Sequence, residues 1–325
     1  MAEYRVAVSD YVFPDILPEK AVLEPMGVEI TAKQCKSVEE LISITRDADV
    51  LLNCYFKPVG EDVFKNSPKL KAVVRYGIGV DTIDIKAATA FGVMVANVPD
   101  YCIDEVSDHT VALMLCLARK ISISDRTVKA GDYSLSCLKP LFKLRGQTVG
   151  FLGFGRIARM VAQKISCFGC NMIFYDKNVR ESRIAEKAGF EAVLLRSDFL
   201  LIHLPETSET RKILNLNTLA KMKPGAFLIN TARGGIVDTE ALVEMLSAGR
   251  LSGAALDLIE GVPPISSEHP LCKMDNVILT PHSAWYSESA ITELQRKAAE
   301  EAARVIRGEA PKSLLNPEVS AKKRV

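Results

Sequence analysis

The apolar positions of this chain form short runs, and amphipathic stretches with helical spacing lie between them. In the first hundred residues the apolar runs predict strands at 4–9, 28–30, 49–53, 71–75 and 93–98. The stretches between them predict helices that follow Pro18, begin at the capping-box-like Ser37, and cover 60–64 and 85–91. Strands that alternate with helices of this length indicate a parallel sheet with helices on both faces.

The alternation resumes after a long, mainly apolar helix that the pattern places at 105–121. The later strands are predicted at 148–153, 171–176, 191–194, 199–204, 226–231, 252–258 and 276–281. The later helices are predicted at 155–168, 182–188, 217–222, 239–248 and 287–307. The helix at 105–121 either connects two domains at a subunit interface or is buried within one chain. With 325 residues, two domains of the α/β class are expected.

The strand at 148–153 runs into Gly153-x-Gly155-x-x-Ala158, a spacing typical of a dinucleotide-binding turn. Gly153 permits the tight turn, Gly155 lets a pyrophosphate approach the backbone, and Ala158 lets helix and strand pack closely. The helix that follows offers free N–H groups to the phosphates. Asp176 ends the next strand, where a carboxylate suits a ribose 2′-hydroxyl and repels a 2′-phosphate. We therefore predict NAD as the cofactor.

Composition excludes several classes of function. An apolar fraction of 48% and a formal charge of +1 describe an ordinary globular protein without a basic field for nucleic acid. No apolar run reaches the roughly 20 residues that span a bilayer, and the N-terminus begins with a charged strand rather than a signal peptide. Eight cysteines without framework spacing indicate reduced thiols, so we expect a cytoplasmic protein without nucleic-acid or membrane partners.

One cysteine pair, Cys167-x-x-Cys170, has the spacing of redox motifs. It falls at the end of a predicted helix that Gly169 is expected to terminate, whereas a reactive pair needs a helix N-terminus to lower its thiol pKa. A metal site needs further Cys or His ligands, and the sequence has no second cluster of them. We expect neither redox nor metal chemistry here.

Ligands of open α/β sheets bind beyond the carboxyl ends of the strands, so the residues at those ends are candidates for the chemistry. In the second half these residues are His203, Arg233, Asp257 and His282. A histidine can exchange a proton with a hydroxyl, and an arginine can hold a carboxylate and polarise a carbonyl. Together they predict hydride transfer at the nicotinamide. Each also has a simpler interpretation: Arg233 in a surface ion pair, Asp257 at a helix cap, and His282 hydrogen-bonded in a loop. His203 is expected to pack or to contact the cofactor rather than to catalyse.

These residues and their neighbours carry a resemblance that covers nearly the whole chain. The motifs are Gly153-x-Gly155-x-x-Ala158, Asp176, His203-x-Pro205, 230–235 (Asn-Thr-Ala-Arg-Gly-Gly), Leu256-Asp257 and Pro281-His282. They resemble the D-isomer-specific 2-hydroxyacid dehydrogenase family, and 75–84 resembles its substrate-carboxylate loop. The segment 281–288 and the later Pro311-x-Ser313-Leu314-x-Asn316 are more similar still to the C-terminal-binding-protein-like branch.

The resemblance implies two flavodoxin- or Rossmann-like doubly wound domains around a cleft. A substrate domain would comprise 1–102 and 290–325, and a cofactor domain 103–289. Such proteins are usually homodimers that associate through the cofactor domain. The resemblance thus implies an NAD-dependent oxidoreductase acting on small 2-keto and 2-hydroxy acids.

The resemblance also implies individual roles. Arg233 would bind the substrate carboxylate and carbonyl, and His282 would be the acid/base. The expected cofactor contacts are Gly153, Gly155, Arg156, Ile157, Asp176, His203, Thr210, Thr231, Ala232 and Asp257. The expected substrate contacts are Tyr55, Arg75, Gly77, Ile78, Gly79 and Trp285, with Trp285 as a wall of the pocket.

One position departs from the family pattern. The family has a glutamate five residues after the aspartate, where it pairs with the histidine and raises its pKa, and this chain has Val262 there. Three alternatives follow. Glu260 or Glu268 supplies the carboxylate, or His282 works without a partner, or turnover is impaired and the protein senses NAD(H) through interactions.

Overall fold

The computed structural model describes residues 3–261 and 265–321. The chain divides into two compact units. Unit 1 comprises Met1–Tyr101 and Ser287–Val325, and unit 2 comprises Cys102–Tyr286. The sequence-based division placed the boundaries after residues 102 and 289.

Unit 1 is built on a five-stranded parallel sheet. Its strands are β1 (Tyr4–Val8), β2 (Val28–Ala32), β3 (Val50–Asn53), β4 (Ala72–Arg75) and β5 (Met94–Ala96), in the order β2-β1-β3-β4-β5. Its helices are α1 (Leu17–Leu23), α2 (Val38–Thr45), α3 (Glu61–Asn66), α4 (Ile85–Ala90) and α12 (Glu288–Ile306). The central strands β3 and β4 are buried along their whole length, as expected for a sheet covered on both faces.

Local signals account for the helix boundaries in unit 1. The Ser37 side chain accepts a hydrogen bond from the Glu40 backbone N–H at the start of α2, as the capping pattern predicted. The short turn after α1 ends at Gly27, whose φ of 74° is the left-handed conformation that glycine adopts most easily. The C-terminal helix α12 packs against α1, β3 and β4 and so completes this unit.

Unit 2 contains a seven-stranded parallel sheet. Its strands are β6 (Thr148–Leu152), β7 (Asn171–Tyr175), β8 (Glu186–Lys187), β9 (Phe199–Ile202), β10 (Ala226–Asn230), β11 (Leu251–Leu256) and β12 (Val277–Leu279). The order is β12-β11-β10-β9-β6-β7-β8, so the chain reverses direction across the sheet between β6 and β9. This is the doubly wound arrangement, in which such a reversal marks the ligand site.

Helices flank this sheet. They are α5 (Ile103–Arg119), α6 (Ile121–Lys129), α7 (Arg156–Ile165), α8 (Phe190–Arg196), α9 (Leu216–Leu219), α10 (Thr239–Ser247) and α11 (Pro270–Lys273). The long apolar helix predicted at 105–121 is confirmed as α5, which packs against α7, β10 and β11. The fold class is therefore confirmed: two parallel-sheet α/β domains. Among the described residues, no helix is both long and apolar enough to cross a bilayer.

Two predicted elements are wrong. The structure has no helix at 182–188, where the edge strand β8 pairs with β7, and it has a helix, α8, where a strand was predicted at 191–194. A short apolar run looks alike in a buried strand and in a helix. Here Val193 and Leu194 are buried while Leu195 is 55% exposed, so the run forms one side of a helix that begins at Phe190. Helices α6 and α11 were not predicted. The other predicted strands agree with the structure to within about two residues at each end.

Candidate active site

The register of the larger sheet aligns the last residues of six strands. Leu152 pairs with Tyr175 and Ile202, and Asn230 pairs with Ile202 and Leu256. Leu256 in turn pairs with Leu279. The residues that follow these ends are, in sheet order, Thr280, Asp257, Thr231, His203, Gly153 and Asp176. With strands about 4.8 Å apart, this row is about 24 Å long, and dinucleotides bind across such an edge.

The glycine turn sits near the middle of the row. Gly153 has a φ of 85°, and a Cβ there would lie 2.4 Å from the His203 carbonyl oxygen, so no other residue fits without a shift. A Cβ at Gly155 would meet no described atom within 4 Å, which leaves room at the start of α7. Among the described residues no side chain caps the α7 N-terminus, and its first N–H groups, beginning at Arg156 and Ile157, suit a phosphate.

Asp176 lies beyond β7 and contacts this turn. Its carboxylate accepts hydrogen bonds from the backbone N–H groups of Phe154 (2.7 Å), Asn178 (2.7 Å) and Val179 (2.9 Å). Burial acts to raise the pKa of Asp176, but these hydrogen bonds outweigh it and hold the pKa below its usual value. The group is therefore ionised at neutral pH. An uncapped helix, a glycine turn and a carboxylate beside it fit a dinucleotide with a free ribose 2′-hydroxyl.

The loop after β10 is held by its own strand. The buried Asn230 side chain donates to the Arg233 carbonyl (2.8 Å) and accepts from the Ala232 N–H (3.0 Å). The Arg233 guanidinium donates through Nη1 to the Ala232 carbonyl at 2.7 Å. Thr231 shares a hydrogen bond of 2.8 Å with Thr110 of α5, and both hydroxyls are buried. The backbone that carries Arg233 is therefore fixed before any ligand binds.

The two glycines after Arg233 lie in close contact with other segments, and the contact of Gly234, which is with backbone, is the one that requires a glycine. A Cβ at Gly234 would lie 2.2 Å from the backbone of Ile259, and one at Gly235 would lie 2.3 Å from the Glu206 carboxylate. Real Cβ atoms do not approach other atoms so closely, because interiors are already close-packed. The glycine pair thus lets three chain segments meet beside Arg233.

Asp257 organises the turn that carries His282. Its carboxylate accepts hydrogen bonds from Thr280 Oγ1 (2.5 Å) and from the backbone N–H groups of Ser283 (2.9 Å) and Ala284 (3.0 Å). Its carbonyl accepts from the His282 N–H at 2.9 Å. His282 itself has a φ of 53°, a conformation that few non-glycine residues adopt without such support. Asp257, 2% exposed, therefore contacts the histidine's turn from both its backbone and its side chain.

Sequence reasoning missed two polar residues of α5 that contact this edge. His109 Nε2 lies 3.1 Å from Thr280 Oγ1 and 3.8 Å from the Asp257 carboxylate. Thr110 contacts Thr231, as described above. Little in the sequence singles out either residue, because the first half of α5 contains four other polar side chains, Asp104, Glu105, Ser107 and Asp108.

The two remaining predicted cofactor contacts follow β9. His203 Nε2 is buried and lacks a hydrogen-bond partner among the described residues, and burial lowers the pKa of His203 to about 4. This imidazole is therefore neutral at physiological pH. Thr210 Oγ1 donates to the Pro205 carbonyl (2.6 Å) and accepts from the Thr207 N–H (2.8 Å), so its hydroxyl holds the loop after the strand.

The carboxylates considered as partners of His282 are engaged elsewhere. Glu260 pairs with Lys212 (3.1 Å) and more distantly with Arg211 (3.9 Å), and Glu268 pairs with Lys273. Within 3–261 and 265–321, neither carboxylate forms a hydrogen bond or ion pair with His282. Val262 lies outside the described residues.

Unit 1 contributes the loop that follows β4. Arg75 is only 9% exposed, and its Nε and Nη1 atoms are buried without a hydrogen-bond partner in the described part of the chain. Its guanidinium carbon lies 5.2 Å from the ring centre of Tyr55. Gly77 has a φ of 140°, and a Cβ there would lie 2.8 Å from Arg75 Nη1. A buried guanidinium without a carboxylate is costly, so this loop suits an anionic ligand.

The rest of this loop is held by side chains. The Ile78 carbonyl accepts a hydrogen bond of 2.6 Å from Asn97, whose own oxygen accepts from Ser313. Gly79 follows directly in the chain.

The half-buried Trp285 follows the His282 turn in unit 2, and its ring contacts Tyr286 edge-on at 5.8 Å.

Burial raises the pKa of the Cys170 thiol, which disfavours a reactive thiolate in the Cys167-x-x-Cys170 pair. The described residues include no group of three potential metal ligands.

The chain is similar in sequence to known proteins. Residues 111–284 match the family model of the D-isomer specific 2-hydroxyacid dehydrogenase NAD binding domain. A glyoxylate reductase of Thermofilum pendens is 40% identical over 296 residues, which are 87% of this chain and 86% of that protein. A D-3-phosphoglycerate dehydrogenase of Methanocaldococcus jannaschii is 37% identical over 319 residues, and these are 96% of this chain but only 59% of that protein.

A solved structure is similar in fold. The D-lactate dehydrogenase from Aquifex aeolicus, complexed with NAD and lactic acid, superposes with a TM-score of 0.83 and 25% identity. The match covers 94% of this chain and 96% of that one.

Proposed function

The chain belongs to the D-isomer-specific 2-hydroxyacid dehydrogenase family of NAD-dependent oxidoreductases, and on that premise we propose that it interconverts a D-2-hydroxy acid and its 2-keto acid. Its cofactor is NAD, which the glycine turn and the ionised Asp176 fit. The observation that carries the proposal is the alignment of that turn with the segments bearing Arg233 and His282 along one edge of the larger sheet.

The proposed chemistry divides between two side chains. When bound, NADH supplies the hydride that the carbonyl carbon accepts. Arg233 holds the substrate carboxylate and polarises the carbonyl, because a guanidinium presents parallel donors that match a carboxylate. His282 donates a proton to the carbonyl oxygen during reduction and takes it back from the hydroxyl during oxidation.

His282 is assigned this role partly because the other three histidines of the chain are engaged differently. His109 contacts Thr280, His203 is kept neutral by burial, and His269 accepts the Leu271 N–H at the start of α11. His282 alone is placed by a turn that a buried carboxylate holds. For unit 1 we propose Arg75 as a substrate-binding residue, with the backbone of Gly77, Ile78 and Gly79 beside it and Tyr55 against its guanidinium. Trp285 is proposed to wall the substrate's side-chain pocket.

We expect NADH to be oxidised when the protein is mixed with 2-keto acids and followed by absorbance in a stopped-flow instrument. The panel comprises glyoxylate, phenylpyruvate and 4-methylthio-2-oxobutyrate, with 3-phosphoglycerate and NAD in the reverse direction. NADPH should be poorer by about tenfold or more in kcat/KM, because Asp176 repels the 2′-phosphate. If no substrate of the panel is turned over above background, the proposed dehydrogenase activity is wrong.

The second candidate, an NAD(H)-sensing interaction protein of the C-terminal-binding-protein-like branch, stays a prediction. It rests on the resemblance to that branch and on Val262, which lies outside the described residues. The same panel decides between the two. A protein that changes its oligomeric state with NADH and turns over no substrate would favour the sensor.

We also propose a homodimer that associates through unit 2. Every residue of α6 is exposed or half-buried, and large apolar side chains project from it and from the segment after it. They are Ile121 (52% exposed), Val128 (45%), Tyr133 (87%), Leu135 (68%) and Phe142 (65%). Apolar side chains grouped in this way are typical of a protein interface.

Light scattering should therefore give a mass about twice the 35.6 kDa of one chain. The variant Tyr133→Ser/Leu135→Ser/Phe142→Ser is expected to shift the protein to monomers at micromolar concentration, because it removes apolar area from the contact. Leu195→Ser, at a 55% exposed position of α8, is the matched control and should leave the mass unchanged. A monomeric native protein would contradict the proposal.

A further inference from the structure

Unit 1 contains a carboxylate that the proposed chemistry does not use. Glu19 of α1 is fully buried. Its oxygens accept hydrogen bonds from the hydroxyl of Tyr76 (2.7 Å) and from Nε2 of Gln295 (2.9 and 3.2 Å). Gln295 belongs to α12, and Tyr76 directly follows β4, so this Glu19 cluster joins three elements.

The protonation states in the cluster follow from burial. Burial raises the pKa of Glu19, and the hydrogen bonds from Tyr76 and Gln295 partly offset that effect. Burial is the larger cause that raises the pKa of Tyr76 well above its usual value, and the neighbouring Glu19 adds to it. The phenol therefore stays protonated and donates a hydrogen bond to the Glu19 carboxylate. Removing a carboxyl group from water is costly, and an apolar trio would fill the same space without that cost.

The position of Tyr76 suggests what the cluster does. Its neighbours are Arg75, two of whose buried nitrogens have no hydrogen-bond partner in 3–261 or 265–321, and Gly77, whose backbone passes close to that guanidinium. The Tyr76 ring packs edge-on against Phe13 at 5.2 Å, and its N–H donates to the Asn53 carbonyl. Tyr76 is 2% exposed, so it is the buried anchor of a loop that adjoins the Arg75 guanidinium.

We infer that Glu19, Tyr76 and Gln295 are positioning residues that set the place of the substrate-carboxylate loop, a role that rests on the proposed function. An aromatic ring held only by apolar contacts can rotate and shift in its pocket. The Tyr76 ring cannot, because its hydroxyl bonds the Glu19 carboxylate and Gln295 of α12 holds that carboxylate in place. Small displacements of a binding group are expensive in activity, so an anchor of this kind acts through Arg75 and Gly77.

The test replaces the polar pair by an apolar one, with the double variant Glu19→Leu/Tyr76→Phe. Removing both partners avoids a stranded buried carboxylate, so the melting temperature should stay near that of the native protein. Gln295 keeps its hydrogen bond to the Asp15 carbonyl. The KM for the keto acid should rise about tenfold with kcat within about threefold, because the carboxylate contact is made equally in the ground and transition states.

Two controls separate positioning from general damage. Tyr4→Phe makes the same chemical change in β1, away from the loop, and should leave KM unchanged. In an Arg75→Met background the double variant should add little to the rise in KM, because residues that act through one partner are not additive. A further tenfold rise in KM in the Arg75→Met background would overturn the positioning role. An unchanged KM in the double variant with native Arg75 would overturn it as well.

Oxamate binding to the NADH complex, measured by calorimetry, separates this inference from the proposed function. The double variant should bind oxamate about tenfold more weakly than the native protein, a loss of about 1.4 kcal/mol. Native protein that binds oxamate but turns over no keto acid contradicts only the proposed function. Equal oxamate affinity in the two proteins, or none in either, overturns the positioning role.

Discussion

His282→Asn is expected to lower kcat for keto-acid reduction by about a hundred- to ten-thousand-fold, the usual contribution of a positioned acid/base. Asparagine is the suitable replacement because it tolerates positive φ, so the turn at 53° should survive the change. The asparagine amide can still form a hydrogen bond, but it cannot deliver a proton. Single-turnover oxidation of NADH measures the effect directly, without product release.

The matched control is His269→Asn. His269 begins α11 by accepting the Leu271 N–H, and asparagine is an equally good residue at that position. Its kcat should stay within about twofold of the native value. NADH affinity should be unchanged in both variants. If His282→Asn keeps more than a tenth of the native kcat, His282 is not the acid/base.

Arg233→Lys is expected to lower kcat/KM for the keto acid by about a hundred- to a thousand-fold. A developing charge on the carbonyl oxygen loses a fixed donor, which typically costs that much. Lysine keeps the positive charge but lacks the planar fork that holds a carboxylate with two parallel bonds. The surrounding backbone should not move, because the Asn230 side chain bonds the Arg233 carbonyl and the Ala232 N–H independently of the Arg233 side chain.

Arg196→Lys provides the comparison for this variant. Arg196 is bonded to Glu186 on the exposed side of α8, and surface pairs contribute little. That control should keep kcat/KM within about twofold of the native value. A similar, small loss in both variants would mean that Arg233 does not contact the substrate.

Part of this site could be predicted from the sequence because its signals are local. Gly153, Gly155 and Asp176 follow consecutive strands, and the backbone of Phe154 itself binds the Asp176 carboxylate. Glycine spacing and an acid at a strand end are visible in the chain without knowledge of distant contacts. The positions of Arg233 and His282 at one edge follow equally from the rule that parallel strands end together.

The interpretation of Asp257 shows where sequence reasoning stopped. The prediction made it a cofactor contact, and the structure shows its carboxylate holding the backbone of Ser283 and Ala284, which adds a second role to the predicted one. The sequence does not predict these two hydrogen bonds, because nearly every residue type has a backbone N–H group and the donors therefore need no particular side chain.

The sequence by itself determined the α/β class and the cofactor turn and named the candidate residues for the chemistry, since each depends on residue type and short-range spacing. Only the tertiary structure decided that 190–196 is a helix, because its apolar run has the same pattern in either conformation. It alone also joined Glu19 to Gln295, which are 276 residues apart in the chain. Contacts at that separation depend on how whole elements pack, and packing is not encoded in any one segment.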